Sequence, residues 1–392
     1  MGNLRPDFKT IADYRKDNGD EIKLLTRRFR EFLRDQGLIR GQRVGIDGTR
    51  VKANADRSML TAKKIERRIK SINEKIEDYL GRLMENDKRE DILDELDVGD
   101  GSEINQELID KIAELEQRLR SLGEQKETLN KESRGEVSPS DPDARLMKSR
   151  EGAIPAYNVQ LVVDDENKLI SGSIVSTEPN DQELLEPVLE HVKEELGIEP
   201  EEVLGDKGYT SFTALEKVES TGKTICYIPL KRTRNDSNPI CFTYNEEKDE
   251  YVCERGKSLP LKAKNKFHHG QYMDVYQGKE CEGCSVRTQC TSSKYGRIIQ
   301  RPHNQSWREA YRQRLETVLG KSKIKLRKSL VEHPFGTIRY WMGKIPLLLR
   351  GREKVDTEIN IYTTAYNIKR LISLKDSTEL IEMINRYDWA RA

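Results

Sequence analysis

The stretch Val203-Leu204-Gly205-Asp206-Lys207-Gly208-Tyr209-Thr210-Ser211 predicts a short apolar strand that ends on a carboxylate and then turns at glycine. Amphipathic helical patterns precede and follow it, so we expect Asp206 at the carboxyl end of a strand in an α/β unit. Ligand sites of open α/β sheets tend to lie at that end. For a lone aspartate, capping of the next helix would be the better explanation. Two further acids in comparable settings, Asp47 and Glu332, favour a functional role for Asp206 instead.

Further segments extend this unit into a sheet. Residues 44–53 alternate between small or apolar and polar side chains, which predicts a strand that carries Asp47. An aspartate is unfavourable in a sheet, and its presence there invites a functional reason. The order of three strands, helix, strand, helix and strand predicts an α/β fold with an antiparallel hairpin at one side. The other predicted strands are 157–163, 169–175 and 224–230, and the predicted helices are 181–196 and 212–218.

Residues 56–133 change to a charge-rich helical pattern. Apolar residues step by three and four from Ile65 to Leu83, and the same spacing returns from Leu108 to Leu129. Glycines at 99 and 101 allow the chain to reverse between the two stripes, so the pattern predicts an antiparallel helical hairpin of coiled-coil type. We interpret this hairpin as a spacer or a dimerisation arm without chemistry.

The chain therefore divides into five predicted segments. With 392 residues it is long enough for two or three domains. In chain order the segments are an N-terminal helical segment (1–43), a core (44–55 and 135–230) that the helical hairpin (56–134) interrupts, a small cysteine-rich insertion (231–300), and a basic helical segment (301–392) that completes the core.

Composition excludes several classes of protein. Charged and hydrophobic residues each make up 35%, and the mean hydropathy is −0.80, which is typical of long solvated helices around a modest core. No apolar stretch is long enough to span a bilayer, and the first residues lack the apolar core of a signal peptide. We therefore expect a cytoplasmic protein without a membrane partner. Six cysteines are few for a disulfide scaffold of this size.

Four of these cysteines have a spacing that suits a metal ion. Cys253, the pair Cys281-x-x-Cys284, and Cys290 lie in a loop-rich segment that is poor in apolar residues. A Cys-x-x-Cys pair places two thiolates on one turn, and two further thiolates complete a tetrahedral structural zinc site. The alternatives are free thiols in a reduced cell, or a site in which His268 or His269 replaces a cysteine.

Asp47, Asp206 and Glu332 would converge from three separate elements. Neighbouring carboxylates cannot all stay ionised without a cation, and hard oxygen ligands select Mg²⁺ or Mn²⁺. Two such ions activate a water or hydroxyl and stabilise the leaving oxygen of an in-line phosphoryl transfer. Spacing alone makes a weak case, since 68 acids offer many triples.

Four short blocks add a fixed order to these acids: Ile46-Asp47-Gly48-Thr49, Asp141-Pro142-Asp143-Ala144-Arg145, Leu204-Gly205-Asp206-Lys207-Gly208-Tyr209 and Val331-Glu332-His333-Pro334-Phe335-Gly336-Thr337-Ile338-Arg339. Together they resemble the blocks of bacterial insertion-sequence transposases of the DDE class, and the likeness covers nearly the whole chain. The resemblance implies an RNase H-like mixed-sheet α/β core in which Asp47, Asp206 and Glu332 hold two Mg²⁺ or Mn²⁺ ions. It also implies an enzyme that cuts double-stranded DNA at the terminal repeats of an element and joins the freed 3′-hydroxyl to target DNA, as a homodimer in the DNA complex.

Two features depart from the pattern of this family. Many relatives carry a tyrosine and an arginine upstream of the glutamate and a lysine seven residues after it, where this chain has Lys325, Lys328 and Arg339. Such transposases also usually have a further helical region before the segment that begins here at Leu4. We expect an intact acidic triad. The alternative is a truncated, non-catalytic DNA-binding or assembly protein derived from a transposase.

Residues 297–352 are strongly basic. Fourteen lysines and arginines stand against three glutamates in this span, which suits contacts to phosphates. The alternative is a solvated helix face; Tyr340 and Trp341 could stack on a base, although core packing is favoured for them. The predicted DNA contacts are Lys325, Lys328, Arg339, Arg327 and Lys207.

Overall fold

The computed structural model describes residues 7–94, 102–131, 134–149, 152–231, 240–268, 271–343 and 345–389. In them the chain has a mixed α/β structure with two sheets. The strands are β1 (Arg43–Lys52), β2 (Arg145–Ser149), β3 (Gly152–Asp164), β4 (Ile170–Ser176), β5 (Glu202–Leu204), β6 (Ile225–Tyr227), β7 (Phe242–Asn245), β8 (Glu250–Cys253), β9 (Ser258–His268), β10 (Gln271–Gln277) and β11 (Ile298–Pro302). The helices are α1 (Phe8–Asp17), α2 (Gly19–Asp35), α3 (Ala62–Asp94), α4 (Ser102–Lys131), α5 (Leu185–Leu196), α6 (Phe212–Glu219), α7 (Arg287–Cys290), α8 (Gln305–Glu316), α9 (Val318–Met342), α10 (Arg352–Leu374) and α11 (Ser377–Arg386).

The first sheet is built around β1. Its strand order is β2-β3-β1-β5-β6, and β4 pairs with β3 beside β2. β1 runs antiparallel to β3 and parallel to β5, and β5 runs parallel to β6. β3 is buried from Ile154 to Asp164, as expected where both faces of a sheet are covered. Strands are present where the sequence predicts them, although the last is limited to Ile225–Tyr227 and β2 is an additional strand. The helix predicted from residue 181 begins at Leu185.

Helices α2, α5 and α10 are tied to β4 by buried polar side chains. Arg30 of α2 is 1% exposed and donates to Glu195 of α5 and Ser173 of β4, and also to Asn360 and Thr363 of α10. These four contacts fix the helices relative to the strand, because breaking them would leave buried donors of the guanidinium unpaired, at a cost in stability. The sheet is therefore a rigid platform for the residues at its edge.

Helix α9 crosses the same sheet over β1. A β-carbon at Gly45 would lie 2.6 Å from Leu330 and 2.8 Å from Val331, so only glycine permits this close approach. Helix α9 therefore packs directly on β1 at a position two residues before Asp47.

The predicted helical hairpin corresponds to α3 and α4. Ile65 near the start of α3 and Leu129 near the end of α4 are buried in one small cluster, and Glu66 pairs with Lys126 at 3.0 Å. The two helices are thus antiparallel and cover each other. The predicted reversal at Gly99 and Gly101 lies outside the described residues. No helix in the described part of the chain is long and apolar enough to cross a lipid bilayer.

The second sheet contains the cysteine-rich segment. Its order is β11-β10-β9-β8-β7, with every neighbouring pair antiparallel. The buried hydrophobic cluster on this sheet consists of Tyr251, Leu259 and Tyr276. It is much smaller than the hydrophobic cluster around the first sheet. An apolar core this small contributes little stabilisation.

Candidate active site

Asp47 lies on β1 with its side chain 22% exposed. Its carboxylate accepts a hydrogen bond of 3.0 Å from the Gly48 N–H and forms an ion pair of 2.8 Å with the guanidinium of Arg327 on α9. Arg327 is itself 17% exposed. Arg327, which the sequence predicts to contact DNA, is therefore the cation that pairs with Asp47 in this structure.

Asp206 follows β5 and lies next to Asp47. The parallel register pairs Gly45 of β1 with Leu204 of β5, so each aspartate is two residues beyond the same pair. The Asp206 carboxylate accepts the Gly208 N–H at 2.6 Å and caps the short 3₁₀ turn Lys207–Tyr209. The alternative considered from the sequence, capping of the next helix, is not what Asp206 does, because Ser211 caps α6. The hydrogen bond from Gly208 fixes the carboxylate at the sheet edge.

A third aspartate, Asp181, faces this pair. It lies in the connection between β4 and α5, and its carboxylate accepts hydrogen bonds from Asn158 at 2.7 Å and from Gln160 at 2.9 Å. A β-carbon at Gly208 would lie 2.6 Å from Asp206 Oδ1 and 2.9 Å from Asp181 Oδ2. The two carboxylates therefore approach the same point from either side of Gly208.

Sequence analysis misses Asp181 because it belongs to no strand or motif. A usable signal is the pair Asn158 and Gln160, polar residues at alternating positions of an otherwise apolar strand. Both side chains are almost fully buried, at 1% and 0% exposure. Buried amides require partners. Their presence in the strand that pairs with β1 points to a polar site at this edge.

The electrostatics of the pocket reflect the shared negative charge. Burial raises the pKa of Asp47 to about 6; Arg327 opposes this shift, while Asp206 and Asp181 add to it. Burial also raises the pKa of Tyr209, and the same three aspartates raise it further. Ionised carboxylates in such a setting favour a bound cation.

Glu332 occupies a different environment. It is exposed on α9, on the helix face that it shares by spacing with Lys325, Lys328 and Arg339, all of them exposed. Arg327 lies on another face, toward β1. The adjacent His333 contacts the Tyr366 hydroxyl of α10 through Nδ1 at 2.9 Å. The exposed basic residue Lys207 lies in the turn directly after Asp206.

Within the described ranges, no group of three or more His, Cys, Asp and Glu side chains is placed to hold a metal ion. The structure brings Asp47 and Asp206 together with Asp181, and it does not add Glu332 to them.

The four candidate zinc ligands line one cavity at the end of the second sheet. Two tight turns carry three of them, while Cys290 is the last residue of α7. Gly283 (φ 74°) lies between Cys281 and Cys284, and Gly256 (φ 73°) follows Cys253 and donates to its carbonyl at 2.8 Å. Burial raises the pKa of Cys290; Arg297 opposes this, and the other three thiols add to it. The side chain of His268 and the whole of His269 lie outside the described residues.

Residues 252–372 match the family described as "Transposase DDE domain". This match supports a DDE transposase and confirms the resemblance found in the sequence. The matched span includes α9 with Glu332 and ends before Leu374 of α10, whereas Asp47, Asp181 and Asp206 precede it. Neither curated proteins nor solved structures gave a match.

Proposed function

We propose that this DDE transposase cuts double-stranded DNA at the ends of an insertion element and transfers the freed 3′-hydroxyl into target DNA. The observation that carries the proposal is the placement of Asp47 and Asp206 at matching positions of two adjacent parallel strands, with the basic helix of the transposase match crossing beside them. Glu332, the one acid on that helix, is the third member of the catalytic set.

The strand order supports an RNase H-like core. Without β2, the sheet reads β4-β3-β1-β5-β6, with three antiparallel strands followed by two strands parallel to β1. The helical hairpin between β1 and β2 and the second sheet between β6 and α8 are then insertions. Both leave the edge with Asp47 and Asp206 intact.

The donor set at this edge fits hard divalent cations such as Mg²⁺ or Mn²⁺. The fit rests on the carboxylates of Asp206 and Asp181, whose oxygens meet at a point next to Gly208 that a β-carbon would fill. Asp47, Asp206 and Glu332 would hold two such ions, which supply activation of a water or 3′-hydroxyl and stabilisation of the leaving oxygen. Arg327 must release Asp47 for this role.

The basic residues bind and orient the DNA. Lys325, Lys328 and Arg339 form an exposed basic face around Glu332, so phosphates bound there would flank the bond to be cut. Arg327 and Lys207 lie nearer to the aspartates and would contact the phosphate at the cut. Contacts of this kind are independent of sequence and sensitive to salt. We further propose a cytoplasmic protein that acts as a homodimer on the terminal repeats.

The four cysteines hold a structural Zn²⁺ in this proposal. The second sheet has a small apolar core, and metal binding at its end would supply stabilisation that the core lacks. Metal analysis by mass spectrometry on protein purified without added zinc should give about one equivalent per chain. Cys284→Ser should lose the metal, and Cys241→Ser, which changes an exposed free cysteine, should keep it. Less than about half an equivalent in the unmodified protein would contradict a closed structural site.

The second candidate is a non-catalytic DNA-binding or assembly protein. The exposed position of Glu332, apart from the aspartates, favours it. A nicking assay separates the two candidates. A supercoiled plasmid that carries the coding sequence and its flanking DNA should be cut by the purified chain with Mg²⁺ and not with EDTA. Protein that binds this DNA yet never cuts it with Mg²⁺ or Mn²⁺ would favour the second candidate.

A further inference from the structure

Asp181 is held in place by contacts that a solvent-exposed turn does not need. Asn158 donates to the Glu178 carbonyl at 3.1 Å as well as to Asp181. Gln182 donates to the Thr210 carbonyl at 3.1 Å, which ties the turn to the loop that carries Asp206. The carboxylate of Asp181 is thus fixed relative to Asp206 before any ligand binds.

The support for this carboxylate extends into the core. The buried Tyr209 hydroxyl donates to the side-chain oxygen Oε1 of Gln160. The side-chain nitrogen Nε2 of Gln160 donates in turn to the carboxylate of Asp181 and to the side-chain oxygen of Asn158. This chain fixes the amide orientation of Gln160, so its nitrogen faces the carboxylate. Tyr209 itself belongs to the block that contains Asp206.

A purely local role does not account for Asp181. An aspartate just before a helix commonly caps it, but the N-cap position of α5 is Leu184, which makes no side-chain cap. Only the backbone carbonyl of Asp181 takes part in the turn, by accepting the Leu184 N–H at 3.0 Å. The carboxylate instead lies near Gly48 and Gly208, whose β-carbons would each lie 2.9 Å from one of its oxygens.

We propose that Asp181 is a fourth acidic residue of the active site, which binds the divalent cation held by Asp206 directly or through a water molecule. This inference rests on the proposed function, because it assumes that Asp47 and Asp206 bind such a cation. In this arrangement Oδ1 of Asp181 accepts hydrogen bonds from the Asn158 and Gln160 amides, and Oδ2 is left to bind the cation.

Binding of Mn²⁺ to the DNA-free chain tests the inference without reference to cleavage. Free Mn²⁺ is measured by electron paramagnetic resonance during titration of the unmodified protein and of its variants. We expect Asp181→Asn to weaken binding by about tenfold or more, the effect of removing a supporting group around a metal. Glu183→Gln is the matched control, since it removes the same charge from an exposed position two residues away.

The outcomes separate this inference from the proposed function. If Asp206→Asn weakens Mn²⁺ binding while Asp181→Asn binds like the unmodified protein, the inference fails and the proposed function stands. If the unmodified protein binds no Mn²⁺ at this site, the inference fails, and the nicking assay decides the proposed function separately. Asp181→Glu, which keeps the charge, should bind Mn²⁺ more tightly than Asp181→Asn; equal weakness would contradict a role for the charge. Thermal unfolding in EDTA should be no lower for Asp181→Asn, whereas a loss of stability with unchanged Mn²⁺ affinity would indicate a structural role.

Discussion

The acids of the proposed site occupy two contrasting regions. Asp47 lies within β1 and Asp206 just after the end of the adjacent β5, and each carboxylate is fixed by the N–H of a following glycine, at 3.0 Å and 2.6 Å. Glu332 lies on the exposed face of α9 among Lys325, Lys328 and Arg339. The fold alone places the first two acids, because sheet register determines their separation.

This difference indicates how the site would assemble. In the proposed site, the sheet provides a preformed half-site of carboxylates. The helix provides the remaining proposed ligand together with the residues proposed to bind DNA, so in this proposal DNA and metal would complete the site together. In this proposal, cleavage would depend on DNA, because the ligand set would be incomplete until Glu332 joins the sheet acids.

The largest expected effect is on cleavage. Asp206→Asn and Glu332→Gln should each reduce Mg²⁺-dependent nicking by about a thousandfold or more, because loss of one ligand disables a two-metal site. Only Asp206→Asn should also weaken Mn²⁺ binding in the absence of DNA. Nicking assays and Mn²⁺ titrations on the same preparations provide the measurement. Salt-sensitive DNA binding should survive in both variants.

If the Glu332→Gln protein cuts DNA normally, Glu332 of α9 does not belong to the catalytic site. A Glu332→Gln protein that loses Mn²⁺ binding without DNA would show that the two regions already form one site. Either result would contradict the proposed difference between the sheet acids and Glu332.

A smaller effect should come from added bulk at the sheet edge. Gly208→Ala places a methyl group 2.6 Å from Asp206 Oδ1, so it should displace a ligand and weaken Mn²⁺ binding by about tenfold to a hundredfold. Gly336→Ala is the matched control on α9, where a β-carbon meets no atom within 4 Å in the described structure. Equal Mn²⁺ affinity for the two variants would contradict the preformed half-site.

Stability should change modestly and with a defined pH dependence. The pKa of Asp47 is about 6 in the folded protein against 3.8 ordinarily, so the folded state binds this proton more tightly than the unfolded state. Ionised Asp47 therefore destabilises the metal-free fold above pH 6, and the penalty disappears as the pH falls toward 3.8. Asp47→Asn should raise the midpoint of thermal unfolding in EDTA by a few degrees at pH 7.5, with a smaller gain at pH 5.

The exposed Glu332 provides the contrast for this measurement. Glu332→Gln should leave the unfolding midpoint nearly unchanged at both pH values, because an exposed carboxylate carries no burial penalty. A gain for Asp47→Asn that is the same at pH 5 and pH 7.5 would contradict the shifted pKa.

The smallest effect should come from the helical hairpin. It packs on itself through its own cluster, and Leu60 and Val137 pair at its base. Replacing residues 62–131 with a short Gly/Ser linker should therefore leave the core folded and Mn²⁺ binding unchanged. Loss of cooperative melting in this variant would show that the sheet does not place its acids without the hairpin.

The sequence predicts the sheet acids well because strand alternation and chain order are local signals. Asp47 and Asp206 each follow a short apolar run, and the parallel pairing of their strands then places them side by side. The two helical stripes of the hairpin are predictable for the same reason, since their spacing is repeated over many turns.

Other features depend on tertiary contacts that spacing does not encode. Asp181 belongs to an irregular connection, and its position depends on Asn158 and Gln160 of a distant strand. Arg327 resembles its basic neighbours in sequence, yet its place on the buried side of α9 directs it to Asp47. In the second sheet consecutive strands pair, but their short and weakly patterned sequences leave the register undetermined.

The central claim is that Asp47, Asp206 and Glu332 meet at one metal site when DNA is bound. A structure of the chain with DNA from an element end and Ca²⁺, which occupies the site without supporting cleavage, tests it most directly. The claim predicts all three carboxylates around two cations about 4 Å apart, with Arg327 moved away from Asp47. Glu332 more than about 10 Å from both aspartates in that complex would contradict it, because paired catalytic ions span only ~4 Å.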